Sequence, residues 1–455
     1  MQTLLLNGTV VNHNGMFEAD VLLENDRIIS VKKGILPDSN MKTVDVKGMY
    51  VCPGFIDTHT HFDLDTGSAV TADNFDTGSR AAILGGTTTI LDFATQERNG
   101  SLKEALETWH KKAQGSSCNY GFHMAIARWD ETTLSEMDLM SAEGVTSYKM
   151  YMVYNGLKVD DGQIYSALKE AKKRGALIGV HCENWEMLLR MCDEVKACGI
   201  LGPEGHPLSR PAAIEAEAVA RFMRIAELAE SPAYVVHLST EEGLLEAMRA
   251  RARGQEVYLE TCPQYLLLTD ERYKDIDGAK FVMSPPLRKD ADREALIKGL
   301  KNGDIQTIGT DHCSFTMAQK AMGKDDFTKI PNGGAGVGYR PRLIYTYGVL
   351  TGKITMEQMV AFLSKNAALL FGMEDRGEIK VGAVADVVIW DPDATGRITD
   401  DDHAHHCDNS PYAGFEVKGK AKHVFLNGLQ VVSDGVLTKS NMGKYIARGR
   451  YQKPQ

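Results

Sequence analysis

Pro53-Gly54-Phe55-Ile56-Asp57-Thr58-His59-Thr60-His61 is the stretch on which the fold turns. A short apolar run ends in two histidines one residue apart. Side chains alternate along a strand, so His59 and His61 point to the same side. Four later runs close on residues of related chemistry: Lys149 after Thr146-Ser147-Tyr148, His181 after Leu177-Ile178-Gly179-Val180, His237 after Tyr234-Val235-Val236, and Asp311 after Thr307-Ile308-Gly309-Thr310. That shared position predicts six side chains gathered at one end of one barrel.

The surrounding pattern supports a barrel. Strand-like runs are expected near residues 53–58, 86–93, 120–127, 146–152, 176–183, 233–239, 257–263 and 307–313. Helical periodicity falls at 101–114, 161–174, 212–230, 241–252 and 291–301, with a further helix at 356–371 outside the barrel. Eight strands alternating with helices predict an α/β fold, a (β/α)8 TIM barrel, whose catalytic groups sit at the C-terminal strand ends. The first fifty residues read instead as short strands with tight turns, and the same chemistry returns near the end. Leu6-Asn7-Gly8 and Leu426-Asn427-Gly428 both carry the Asn-Gly hairpin signal. The expectation is a small β-sandwich domain built from both chain ends, residues 1–52 and 374–440, around a catalytic barrel at 53–373. The tail 441–455 is too polar for a core and is expected to be an arm that packs on a neighbouring subunit or stays mobile.

Composition narrows the function. The 455 residues are 43% hydrophobic and 25% charged, enough for a large core. A net charge of −10 without a basic block argues against nucleic acid as a partner. No apolar run reaches the ~18 residues of a membrane span, and no signal peptide is expected from the first residues. Eight cysteines without a C-x-x-C pair suit a cytoplasmic protein with reduced thiols.

Imidazoles and a carboxylate together suit zinc, with manganese or iron next, better than calcium. Lys149 is the odd member, because an ammonium would add charge to a site already rich in cations. Carbamylation by CO2 turns that cation into an anion with two oxygens, one for each of two ions. Burial beside cations favours the neutral amine that this reaction requires. Cys262 and Cys313 are expected to pack near strand ends, and His312 to point away from its neighbour Asp311. His403, His405 and His406 are expected to lie in a solvated or interface loop.

With these residues placed, the chain resembles the cyclic amidohydrolases, most closely the dihydropyrimidinase/D-hydantoinase family. The resemblance runs nearly end to end. It rests on residues 53–61 and on Gly85-Gly86-Thr87-Thr88-Thr89, Ser209-Arg210-Pro211, Glu260-Thr261-Cys262-Pro263-Gln264-Tyr265-Leu266, Ser284-Pro285-Pro286-Leu287-Arg288, Thr310-Asp311-His312-Cys313 and Ile330-Pro331-Asn332-Gly333. It implies a homotetrameric hydrolase with two Zn2+ per subunit that opens the ring amide of a cyclic ureide, a hydantoin or dihydropyrimidine. His59, His61 and Asp311 would hold one zinc, and His181 and His237 the other, bridged by Lys149 as N6-carboxylysine. Asp311 would move the proton and Tyr154 polarise the carbonyl, while backbone groups near Ser284 and Asn332 grip the ring. Two departures bear on the substituent pocket: Phe62-Asp63-Leu64-Asp65 replaces a more apolar stretch, and Gly338 stands where an acidic residue is common. Allantoinase and dihydroorotase are the neighbouring activities. A non-catalytic scaffold of the collapsin-response-mediator type is opposed by the full set of ligands.

Overall fold

The computed structural model describes residues 2–400 and 404–454. Among these, eight parallel strands form the barrel: Phe55–Thr60, Thr87–Thr95, Asn119–Ala125, Ser147–Tyr151, Leu177–His181, Ala233–Val235, Val257–Thr261 and Thr307–Ile308. Their order in space is their order in the chain. Every residue of the first, fourth and fifth strands is buried, as parallel strands covered on both faces require.

The seam between the last strand and the first closes in two ways. The His61 N–H donates to the His312 carbonyl at 2.8 Å. The guanidinium of Arg340, fully buried, donates through Nη1 to the carbonyls of Ile56 (2.9 Å) and Ile308 (2.7 Å). A planar cation with several donors reaches both edges at once.

Six strands are shorter than the sequence predicts, two of them by four or five residues. The run at 233–239 leaves the ladder after Val235, and the run at 307–313 leaves after Ile308. The backbone then turns left-handed at His237 (φ 38°) and Asp311 (φ 52°), which breaks strand geometry. Helices Leu102–Lys112, Asp161–Arg174, Ala212–Leu228, Glu241–Ala252 and Asp290–Asn302 match expectation to within two residues at each end. The helix expected at 356–371 runs as Met356–Val360 and Asn366–Leu370 with a wider π turn between them.

Both chain ends meet in a separate nine-stranded sheet. Strand Val387–Arg397 pairs antiparallel with Tyr50–Pro53, joining the late segment to the early one. Leu5, Val21, Ile28, Val51, Val387 and Phe425 are part of its own apolar core. The two Asn-Gly pairs diverge here. Asn427-Gly428 turns a hairpin between Glu416–Leu426 and Leu429–Ser433. Asn7-Gly8 instead sits inside one strand, Gln2–Asn12, at a break in register. Asp20 accepts the Asn7 N–H at 2.9 Å, and a Cβ on Gly8 would come within 2.5 Å of Val51. The pair makes a bulge because the sheet packs over it.

The tail packs on its own chain. Residues 444–452 are strapped across the N-terminal end of this chain's own barrel. The Lys444 carbonyl accepts from Tyr120 (2.9 Å), while the N–H groups of Arg448 and Gln452 donate to Gly144 (2.9 Å) and Leu369 (2.8 Å). Arg448 is buried and donates to Ser147 Oγ at 2.8 Å and to the Phe122 carbonyl. Its polar head finds acceptors at the barrel floor, so polarity does not keep the segment out. No helix among the described residues is long and apolar enough to cross a membrane.

Candidate metal centre

All six predicted ligands line one cavity of about 1260 Å³ at the C-terminal end of the barrel, together with Tyr154, Ser284 and Asn332. The strand-end expectation needs one correction. Lys149 stands in the middle of Ser147–Tyr151, and its long side chain carries the amine upward. His181 ends its strand, and His61, His237 and Asp311 lie just past theirs.

The ligand atoms converge. Asp311 Oδ1 is 3.2 Å from His59 Nε2 and 3.2 Å from His61 Nε2. The His181 and His237 rings lie 4.4 Å apart, and those of His59 and His237 5.3 Å apart. One ligand atom each from His59, His237 and Asp311 falls within 4.8 Å of the others. The backbone is strained to achieve this: Tyr154 (φ 77°), His237 and Asp311 all take the left-handed region. Such positions cost on the order of 1–3 kcal/mol each and cluster where side chains must be aimed.

The electrostatics suit cations. Burial pushes the His59, His181 and His237 imidazoles below their ordinary value. Burial opposes ionisation of Asp311, yet the neighbouring His59 and His61 hold its carboxyl well below the usual carboxylate range. Lys149 is 1% exposed, and burial pulls its amine down to about 8 against the opposing charges of Asp311 and Glu260. Its Nζ finds no hydrogen-bond partner among the described residues, nor do His59 Nε2 and His237 Nδ1. Buried polar atoms without partners are costly. This donor set of imidazoles, a carboxylate and a buried amine fits a transition-metal ion better than a hard cation.

Three supporting residues escaped the reading of the sequence. Glu260, fully buried, takes His59 Nδ1 at 2.6 Å and accepts from Thr58 (2.6 Å) and Tyr234 (2.9 Å). Holding the proton on Nδ1 leaves Nε2 free as a ligand. Glu183 does the same for His181, at 2.7 Å from Nε2, and is itself paired with Arg210 at 2.9 Å. Phe93 floors the site, 4.5 and 4.8 Å from the His59 and His61 rings and 5.0 Å from Lys149 Nζ. Glu260 and Arg210 stand inside the specific motifs, which is the only local sign of them.

Asp73, His312 and His405 make a second cluster of ligand-type atoms. His312 Nδ1 accepts the N–H groups of Gly336 (3.0 Å) and Val337 (3.2 Å), so its proton sits on Nε2 and donates to Asp73 at 3.1 Å. With both nitrogens engaged the ring holds no lone pair for an ion. His312 therefore points away from the cavity into a hydrogen-bonded network. The solvated loop expected for the late histidines does not hold for His405, which is buried and stacks on His312 at 5.3 Å. Gly338 leaves the room: a Cβ there would lie 3.2 Å from His405 Nε2. The His406 N–H donates to Asp73 at 2.7 Å, and His403 lies outside the described residues. Cys262 and Cys313 are buried, and burial pushes both thiols up.

Residues 50–431 match the Amidohydrolase family. The chain belongs to that family, in its D-hydantoinase/dihydropyrimidinase branch. A D-hydantoinase of Geobacillus stearothermophilus is 41% identical, over 99% of this chain and 97% of that protein. A D-phenylhydantoinase of Escherichia coli is 39% identical over the whole of both. The crystal structure of a dihydropyrimidinase from Brevibacillus agri superposes with a TM-score of 0.98 at 38% identity, covering all of each chain. This family membership accounts for the barrel and the end sheet.

Proposed function

We propose that this chain is a dinuclear zinc hydrolase that opens the ring amide of cyclic ureides, turning 5-substituted hydantoins or dihydropyrimidines into N-carbamoyl amino acids. The observation that carries the reading is the meeting of four imidazoles, Asp311 and the unpaired Lys149 amine in one cavity. The names of the relatives point the same way.

His59, His61 and Asp311 would hold one ion, and His181 and His237 the other. Lys149, carboxylated by CO2, would bridge them. When bound, the ions supply Lewis acidity and make water a nucleophile near neutral pH. The chain does the rest. Burial keeps the Tyr154 phenol protonated, so it donates to the carbonyl oxygen as charge develops there. Asp311, held ionised, takes a proton from the attacking water and returns it to the leaving ring nitrogen. Backbone groups near Ser284 and Asn332, which line the same cavity, fix the ring amide. A cavity of about 1260 Å³ exceeds what one small ring fills and leaves room for a 5-substituent. The same reading makes the protein a cytoplasmic homotetramer, in keeping with eight free thiols.

The test is a hydrolysis panel of hydantoins, dihydropyrimidines, allantoin and dihydroorotate, with and without a chelator, including both enantiomers of one 5-substituted hydantoin. Chelator-sensitive opening of hydantoin or dihydropyrimidine is expected. Protein replete with metal and bicarbonate that opens neither ring would refute the reading. Absence of bound zinc would favour a scaffold.

A further inference from the structure

Lys320 is the least expected buried charge outside the metal centre. It ends the short helix Met317–Lys320 and is 1% exposed. No carboxylate pairs with it among the described residues. Its Nζ donates instead to three backbone carbonyls, those of Val282, Pro331 and Gly333, each at 2.7 Å. Burial pulls the amine down to about 7, but three carbonyl acceptors match the three hydrogens of an ammonium and favour the charged form. A lone cation held by carbonyls alone is a costly way to stabilise a fold, since an apolar side chain would avoid its desolvation.

The three carbonyls are not arbitrary. Val282 lies two residues before Ser284, and Pro331 and Gly333 flank Asn332. Ser284 and Asn332 face the large cavity, whereas Lys320 lies behind that wall and borders a separate cleft of about 510 Å³. The Gly333 N–H also donates to the Val282 carbonyl at 3.0 Å, tying the two segments directly. On the other side, the Cys313 N–H donates to the Gly334 carbonyl at 3.2 Å. A Cβ on Gly333 would lie 2.2 Å from the Cys313 carbonyl oxygen, so the loop has no slack there.

We infer that Lys320 is a positioning residue: its ammonium sets the spacing between the Ser284 and Asn332 segments and thereby the grip on the substrate ring amide. The inference rests on the reading of those segments given above. The grip acts on bound substrate and transition state alike, so its loss raises KM more than it lowers kcat.

Lys320→Met and Lys320→Arg test this, with a 5-substituted hydantoin as substrate and bound metal measured alongside. The expected result for Lys320→Met is a KM raised about tenfold or more with kcat changed far less and metal content unchanged, as loss of hydrogen bonds across the grip requires. Lys320→Arg, which keeps a cation with donors, should recover part of that KM. A folded, metal-loaded Lys320→Met with wild-type KM overturns the proposal. So does a fall in kcat or in metal content at constant KM. Failure of both variants to fold assigns Lys320 to stability alone and also overturns it. Wild-type protein that opens no hydantoin would instead refute the reading of the site, a result separate from any comparison between variants.

Discussion

The residues around the proposed centre have separable proposed roles, and removal of each has a distinct expected signature. Lys149 is a buried amine among imidazoles. Lys149→Ala should lose at least one ion per subunit and nearly all activity, with partial rescue by a short added carboxylate. Metal analysis beside turnover checks both. Tyr154→Phe should keep the metal and KM but lower kcat by ~10²-fold or more, because it removes a donor to the developing oxyanion. Unchanged turnover would reject that role. Glu260→Gln weakens the hold on the His59 tautomer and should lower metal affinity or activity by about 10–100-fold; competition with a chelator reads the affinity. The sequence shows the ligands far better than their supports. A histidine at the end of an apolar run is visible locally, whereas Glu260 meets His59 from 201 residues away. Lys149 is legible as a member of the cluster and not for its place along the strand, which is the middle and not the end.

Elements were legible where burial imposes a period and obscure where it does not. Helix Asp161–Arg174 buries Ile164, Ala167, Leu168 and Ala171 at helical spacing. Trp185–Ala197 buries only Leu188, and Glu131–Ala142 only Thr133, Met137 and Met140. Glu131–Ala142 leaves little amphipathic signal, whereas Trp185–Ala197 has an apolar face that the fold leaves largely uncovered; neither is among the expected helices. Phe75–Leu84 carries Gly78 because the Phe62 ring packs there, 2.2 Å from where a Cβ would stand. That contact lies outside any local pattern. The tail hides its intrachain packing for a related reason: Arg448 reads as a surface residue until the barrel floor supplies its acceptors. Arg448→Met should leave Ser147 Oγ and the Phe122 carbonyl without this donor and destabilise the protein by about 1–3 kcal/mol. Urea denaturation measures the loss, and turnover in the absence of urea should stay near that of the wild type.

At the scale of the whole molecule, architecture was legible because alternation of strand and helix is a local pattern repeated eight times. The barrel follows from that count, whereas the contacts that close its seam, the His61–His312 hydrogen bond and the Arg340 guanidinium, carry no local sign. The same geometry couples the centre to stability. His59 and His61 lie at one side of the seam and Asp311 at the other, with Lys149, His181 and His237 on the intervening strands. Ions held by all six would tie the strand ends across the seam. Ligands that bind only the folded state stabilise it by mass action, by about 4 kcal/mol at a thousandfold excess over Kd. A chain of this size need not unfold in one step, so chelation should lower the first thermal transition, the one that opens the barrel mouth. The end sheet has its own core, with no proposed ligand among its residues. Substitutions there, such as Val387→Ala, should destabilise the protein whether or not metal is bound. Scanning calorimetry of both forms, with and without chelator, separates the cases. If chelation shifts neither transition while removing every ion, the six residues do not hold the seam through metal, and the link from site to stability fails even if the chemistry stands.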